Sequence, residues 1–241
     1  MQLRWPIWLS HFVQWPMNLP SQCLACHAWP SSGVLCHDCL TRFHQRHTRC
    51  TGCALALPGL SAQHPRCGAC LRRPPLWQSA AVGVDYSYPW NQLITRWKFA
   101  QQPALAKHLA HWMLHDEHIR HAVAQAQVVI PIPLSVQRMR ERGYNPAAQL
   151  AKHLAPSKYQ AHALQRIRHT PAQSDLTRAQ RLRNIRGAFA IHANHCELLQ
   201  GQNVLLVDDV MTTGATLTEA SRCLLHAGAA QIHVLCMART P

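Results

Sequence analysis

The stretch from Val204 to Leu217 reads Val-Leu-Leu-Val-Asp-Asp-Val-Met-Thr-Thr-Gly-Ala-Thr-Leu, and it leaves few folds open. Four successive branched apolar residues cannot face water on either side, which places Val204–Val207 in a parallel sheet covered on both faces. Asp208 and Asp209 follow at the strand's carboxyl end, the position where open α/β sheets bind ligands. A loop of small residues then leads into Leu217-Thr218-Glu219-Ala220, which reads as helix. Amides from Thr212 to Thr216, with the hydroxyls of Thr212, Thr213 and Thr216, can converge on a phosphate, and Gly214 lets the backbone approach it closely. The plainer alternative is an ordinary strand, an Asp-capped turn and a helix; the density of matching residues favours the phosphate cradle.

Cysteine usage sets the second constraint. Eight of the 11 cysteines form four Cys-x-x-Cys pairs: Cys23/Cys26, Cys36/Cys39, Cys50/Cys53 and Cys67/Cys70. Each pair supplies two corners of a tetrahedron, so four pairs make two zinc sites of four thiolates. The intervening sequence is polar and rich in Pro and Gly and cannot bury a core. Metal must therefore supply its folding free energy, on the order of 10 kcal/mol per site. Four thiolates leave no open coordination position, so the sites read as structural; an iron–sulfur cluster is the minor alternative. Spacing leaves the pairing open between sequence order and an interleaved arrangement. His27, His37, His44, His47 and His64 lie nearby but are not needed as ligands.

Residues 1–20 carry Trp5, Ile7, Trp8, Leu9, Phe12, Val13 and Trp15, interrupted by Pro6, His11, Gln14 and Pro16. That is too short and too broken for a membrane span and lacks a signal-peptide cleavage pattern. It reads as a short amphipathic segment, and the expected compartment is the cytoplasm, where paired thiolates mean metal. The expected organisation is this segment, a double zinc ribbon over 21–75, and an α/β domain over 76–241.

Within the larger domain, Ala80–Tyr86 reads as a strand, a helix starts near Pro89, and a second spans Ala104–Leu114. Lys98, at the end of the first helix, is expected to be solvated rather than in contact with an anion. Val128–Leu134 is a strand that must stop at its prolines. After Pro133 and Leu134 a loop carries Arg138, Arg140 and Arg142, then Gly143, Tyr144 and Asn145, before a helix opening with Pro146. Arginines and a glycine at a strand's carboxyl end suit a pyrophosphate; a basic surface turn is the simpler alternative. Arg166–Phe189 reads as a long mobile loop with a basic helix beginning near Thr177, in which Arg181 and Asn184 can equally be loop-fixing residues. Eleven of the 24 basic side chains fall between residues 138 and 186, against Glu141 and Asp175. Strands alternating with helices predict a mostly parallel sheet flanked by helices.

The Val204–Leu217 stretch resembles the phosphoribosyl-pyrophosphate signature of type I phosphoribosyltransferases. That resemblance implies that Asp208 and Asp209 hold the ribose 2- and 3-hydroxyls and that Met211, Thr212, Thr213, Gly214, Ala215 and Thr216 hold the 5-phosphate. Together with the four cysteine pairs, the Pro-x-Pro-Leu strand end, the Arg-Gly-aromatic-Asn turn and Thr170-x-x-Gln173-Ser174 with Arg181-x-x-Asn184, nearly the whole chain resembles the ComF family, most closely its GntX-like members. The resemblance implies zinc ribbons fused to a phosphoribosyltransferase-like domain, phosphoribosyl pyrophosphate with Mg2+ as ligand, and a place in bacterial DNA uptake or utilisation. It further implies a cytoplasmic protein working on incoming single-stranded DNA near the uptake machinery of the inner membrane, and a Gln173-Ser174 element that closes over the site. Family members usually continue the turn as Phe-Asn-Gln; here it is Tyr144-Asn145-Pro146, which removes a polar side chain and a backbone donor at position 146.

Composition narrows the partners without choosing among them. Lys+Arg of 24 against Asp+Glu of 10 gives a formal charge of +14, which favours polyanions. Three functions compete: a phosphoribosyltransferase serving DNA uptake, a non-catalytic module for the metabolite or single-stranded DNA, and a nucleotide-salvage transferase. The third lacks any recognisable pocket for a purine or pyrimidine.

Overall fold

The Val204 run lies at the heart of a four-stranded parallel sheet in the computed structural model, which describes residues 21–31, 33–44, 47–57, 59, 63, 65–168 and 184–241. The strands are β1 (Ser79–Asp85), β2 (Val128–Pro131), β5 (Asn203–Met211) and β6 (Gln231–Arg239), in the spatial order β1-β6-β5-β2. β3 (Leu164–Arg166) and β4 (Phe189–Ile191) form a separate antiparallel pair. Val204, Leu205, Leu206 and Val207 are all fully buried. Leu205 and Val207 join one core with α3 (Trp90–Phe99), α4 (Leu105–Met113), α5 (Glu117–Gln125) and α7 (Pro146–Leu154). Val204 and Leu206 join the other with α9 (Ala215–His226) and the β3–β4 pair. Each such leucine or valine contributes about 2 kcal/mol of transfer free energy.

Register explains where the sheet opens. β2 leaves the ladder at Pro131, opposite Val207, and the Ile132 N–H makes one last bond to the Val207 carbonyl at 2.8 Å. Val129 instead donates away from β5, to the Lys158 carbonyl at 2.9 Å, so the missing N–H groups of Pro131 and Pro133 fall on that outer side, where proline is tolerated. β5 runs on beside β6 as far as Met211, opposite Arg239, so Asp208 and Asp209 project past the neighbour that has departed.

Two segments differ from the sequence reading. Asp116 opens α5 by accepting from the Ile119 N–H at 3.2 Å, yet Ile119 is its one fully buried side chain, so no apolar stripe announced the helix. The arginine loop after Leu134 is instead a helix, α6 (Val136–Arg142), capped by the Ser135 hydroxyl, which accepts from the Arg138 N–H, and stopped by Gly143 at φ 76°. Start and stop signals, Ser135 and Gly143, bracket the seven residues of the helix, but α6 buries nothing and so carries no apolar period. The expected loop from Arg166 is bounded by β3 and β4. Arg168 donates to the carbonyls of Asn184 at 2.8 Å and Arg186 at 2.7 Å, and the Gly187 N–H donates to Glu219 at 2.7 Å. The readings made for residues 1–20, for His64, for the Gln173-Ser174 element and for Arg181 on a basic helix from Thr177 fall outside the described residues.

Asn145 joins the two halves of the opening. Its Oδ1 accepts from the Ala147 N–H at 3.0 Å to cap α7, while its Nδ2 donates to the Ile132 carbonyl at 2.9 Å. Pro146 is the buried first residue of that helix, a position with no use for an N–H. Asn145→Ala is expected to destabilise the protein by about 2 kcal/mol, from the lost cap and an unsatisfied buried carbonyl, as read by urea denaturation; a change within error would mean that the clamp carries no load.

Candidate functional site

A cavity of about 330 Å³ opens at the carboxyl ends of β5 and β2. Asp208, Asp209, Thr212 and Thr216 line it from the β5 side, and Pro133, Leu134, Arg138 and Arg142 from the β2 side. Helix formation in α6 selects among the arginines. Arg138 and Arg142 are four residues apart and share a face, whereas Arg140 is about 200° away and lines a neighbouring hollow of about 510 Å³. Met211 is a buried strand residue, 2% exposed, whose carbonyl already accepts from the Thr240 N–H at 3.1 Å. The loop therefore begins at Thr212. Thr213 Oγ1 accepts from the Ala215 N–H at 3.4 Å, and Gly214, at φ 74°, turns the backbone into α9. Only such a left-handed residue lets the chain reverse tightly enough to start the helix there.

Lys98 is not solvated. Its ammonium lies 2.8 Å from Asp209 Oδ1, with Arg142 4.0 Å from Oδ2, and both members of the first pair are largely buried. Arg142 also stacks on Phe99, 4.7 Å from the ring centroid. Arg166 lines the same cavity from β3; burial and the Arg138 charge lower its pKa to about 10, with Asp208 opposing. Burial raises the Asp208 carboxyl to about 7 and the Asp209 charge adds to the shift, while the Asp209 N–H, Lys98 and Arg166 oppose it. Lys98, Arg138, Arg142 and Arg166 thus face two carboxylates, a net positive pocket suited to a multiply charged anion. Among the polar side chains of this wall, sequence reasoning missed Lys98, Arg166, Tyr86 and Thr240. The Trp-Lys-Phe end of an amphipathic helix was the available signal for Lys98, a cation in the last turn between the buried Trp97 and the exposed Phe99.

The eight paired cysteines gather in sequence order, Cys23, Cys26, Cys36 and Cys39 in one cluster and Cys50, Cys53, Cys67 and Cys70 in the other, with all sulfurs of a cluster within 4.8 Å of one another. This settles the pairing left open by spacing. Bonds of 2.3 Å to a tetrahedral zinc put sulfurs about 3.8 Å apart, and Cys26–Cys36 and Cys53–Cys67 stand at 3.6 and 3.8 Å. Backbone N–H groups support the thiolates: Cys36 donates to Cys23 Sγ at 3.3 Å and Cys67 to Cys50 Sγ at 3.2 Å. Burial opposes ionisation of Cys23 and Cys50, but these and neighbouring N–H donors outweigh it and bring the two thiols down to about 6 and 7. Burial and adjacent sulfurs push Cys39 and Cys70 up. The donor sets fit a tetrathiolate metal ion, and no histidine joins either cluster among the described residues.

Residues 99–241 match the phosphoribosyl transferase domain family. The chain is 32% identical over 235 residues to the DNA utilization protein YhgH of Salmonella typhimurium, covering 93% of this chain and 99% of that protein. It is 34% identical over 186 residues to competence protein F of Haemophilus influenzae, covering 74% and 79%. The competence protein ComFC of Bacillus subtilis shares 42% identity over 103 residues, 43% of this chain and 40% of that one. This is a ComF-family protein with a phosphoribosyltransferase domain. Membership agrees with the parallel sheet and the paired cysteine clusters. Among the described residues of this ComF-family chain no helix is long and apolar enough to cross a membrane.

The Asp208 shift has a thermodynamic consequence. Between the ordinary carboxyl value of about 4 and about 7, folded Asp208 keeps a proton that the unfolded chain has released, so stability falls as pH rises through that window. In Asp208→Asn this loss is absent. The variant's urea midpoint, relative to the native protein's, is expected to climb over that range and level off above it; a difference independent of pH would show an ordinary carboxyl.

Proposed function

We propose that the carboxyl end of β5 binds phosphoribosyl pyrophosphate with Mg2+, and that the protein serves DNA uptake and utilisation. The observation carrying this reading is the single cavity that gathers two adjacent carboxylates, a threonine-lined turn at a helix N-terminus and four cations. Asp208 and Asp209 take the vicinal ribose hydroxyls. The Thr212–Thr216 turn takes the 5-phosphate on its N–H groups and hydroxyls. Pro133, Leu134, Arg138, Arg142 and Arg166 form the pyrophosphate wall. The cavity's carboxylates and its room for a phosphate-bound, hydrated ion suit magnesium, which bridges phosphate oxygens and offsets their charge. The cysteine clusters hold two structural zinc ions.

In a transfer reaction the bond from ribose C1 to the pyrophosphate oxygen breaks, and its electron pair leaves with the pyrophosphate. The arginines of α6 and β3 stabilise that departing charge, and the carboxylates of Asp208 and Asp209 lie near the cationic ribose that remains. A nucleophilic acceptor then closes the new bond at C1. A second reading, binding without turnover, draws on Lys98. With its ammonium 2.8 Å from Asp209, that carboxylate is already compensated and has less to offer a cationic ribose.

The names of the relatives, DNA utilization protein and competence protein, support the cellular role. A formal charge of +14 supports single-stranded DNA as a partner. Trp29 and Tyr88 are exposed on the described surface, whereas Trp77, Trp90 and Trp97 belong to the core.

Calorimetry with Mg2+ and phosphoribosyl pyrophosphate is expected to give one site per chain, weakened about tenfold or more in Asp208→Ala/Asp209→Ala by loss of two charge-assisted contacts. No binding by the native protein would overturn the reading. Pyrophosphate release that requires an added acceptor marks a transferase, and binding without release marks the module. Single-stranded DNA affinity should fall steeply with salt, with a shallower slope in Arg181→Ala/Arg183→Ala; unchanged affinity and slope would remove those arginines from the DNA interface. The purified protein should contain two zinc ions per chain, each with four sulfur neighbours in X-ray absorption; iron in their place would replace the zinc assignment.

A further inference from the structure

The two cysteine clusters meet the rest of the protein differently. Three consecutive carbonyls of the third cysteine pair accept hydrogen bonds from the transferase sheet and its flank. Thr51 accepts from the Ala80 N–H of β1 at 2.7 Å, Gly52 from Trp77 Nε1 at 2.6 Å, and Cys53 from Arg239 Nε at 2.9 Å. One of these donors, Trp77, also touches the anion loop, and another, Arg239, the strand residue just before it. The buried Trp77 ring lies against Gly214, with its edge 3.3 Å from where a Cβ would stand. Arg239, the last residue of β6, donates through Nη1 to the Met211 carbonyl at 3.3 Å and to Thr240, whose own N–H shares that Met211 carbonyl. Thr240 lines the cavity. Gly52 in turn is pressed on a ligand sulfur: a Cβ there would come within 2.9 Å of Cys70 Sγ.

The first cluster has no such link among the described residues. Its contacts run to the start of α3, where the Tyr88 hydroxyl donates to the Ala25 carbonyl at 3.2 Å and Trp90 Nε1 to the Phe43 carbonyl at 3.1 Å.

We propose that the second cysteine cluster and the anion loop form one coupled unit, with Trp77 and Arg239 as its positioning residues, so that a phosphorylated ribose in the loop retards metal loss from this cluster and not from the first. The inference rests on the phosphoribosyl reading of the loop. A ligand that holds Thr212–Thr216 in place fixes Gly214 and Met211, and through them the two donors that orient the Gly52 and Cys53 carbonyls. By reciprocity, whatever factor the ligand adds to the cluster's equilibrium affinity for metal, the metal-loaded cluster adds to the loop's affinity for the ligand.

The test uses the full chain loaded with two zinc ions. Zinc release to a chromogenic chelator is followed with ribose 5-phosphate, with ribose as control, while binding of ribose 5-phosphate is measured separately by calorimetry. Ribose 5-phosphate is expected to slow one of the two metals about fivefold or more, and ribose neither. Trp77→Phe removes the N–H to Gly52 together with the outer indole edge that lies against Gly214, and Arg239→Gln removes the second link. Each should load two zinc ions, lose most of the protection and bind ribose 5-phosphate more weakly. Tyr88→Phe, which alters only the first cluster's contact, should keep the protection. If calorimetry shows no binding, the phosphoribosyl reading falls and the coupling with it. If ribose 5-phosphate binds while both metals leave at unchanged rates, or if both folded variants retain full protection, the coupling alone is overturned.

Discussion

Complete burial of Val204–Val207 on both faces of β5 is the constraint from which the rest of the structure follows. A strand apolar on alternate sides needs helices above and below, and parallel neighbours supplied by long crossovers. β6 follows β5 to its end, but β2 leaves the ladder at Pro131, opposite Val207. The two acids therefore stand at a step in the sheet, bonded on one side and open on the other. Nothing about Asp208 and Asp209 alone would make a cavity; the early exit of the neighbouring strand makes it.

Charge placement in that cavity follows from helix geometry as much as from composition. The basic excess is densest between residues 138 and 186, and a four-residue spacing on α6 brings two of its three arginines to the ligand side. Lys98 arrives from the last turn of α3 and Arg166 from the short β3. Four cations drawn from three elements neutralise and overbalance two acids in partly dehydrated surroundings, where Coulombic interactions are stronger than in bulk water. Such a pocket is poised for an anion carrying several charges rather than for a neutral sugar.

How much was legible in the sequence depended on whether burial wrote a pattern. The Val204 strand, its acids, the glycine turn and the eight cysteines were readable because each rests on local chemistry: an apolar run, a left-handed residue, a tetrahedral ligand set. The pairing of the cysteine clusters was not, since two-residue spacings are the same in either arrangement. α5 and α6 were missed for one shared reason: a helix that buries one side chain or none shows no 3.6-residue period, and only its caps, Asp116 and Ser135 with Gly143, betray it. Lys98 was expected in water because its partner, Asp209, is more than a hundred residues away in the sequence, and pairing at that distance is a product of the fold. Asn145 was read as part of a ligand turn, whereas its side chain is spent on a helix start and a strand end.

The brace across residues 168 to 186 has a different kind of consequence. The β3–β4 ladder and the Arg168 side chain, which holds the carbonyls of Asn184 and Arg186, pin both ends of the segment between them to the sheet. Closure of that loop is thus settled at its base. For a flexible segment, doubling the enclosed length would add only about 0.6 kcal/mol of closure entropy. The separation of Arg168 from Asn184 is thus fixed by the described ends themselves, and Arg166, two residues before the brace, keeps its place in the pocket wall whatever length of chain runs between them.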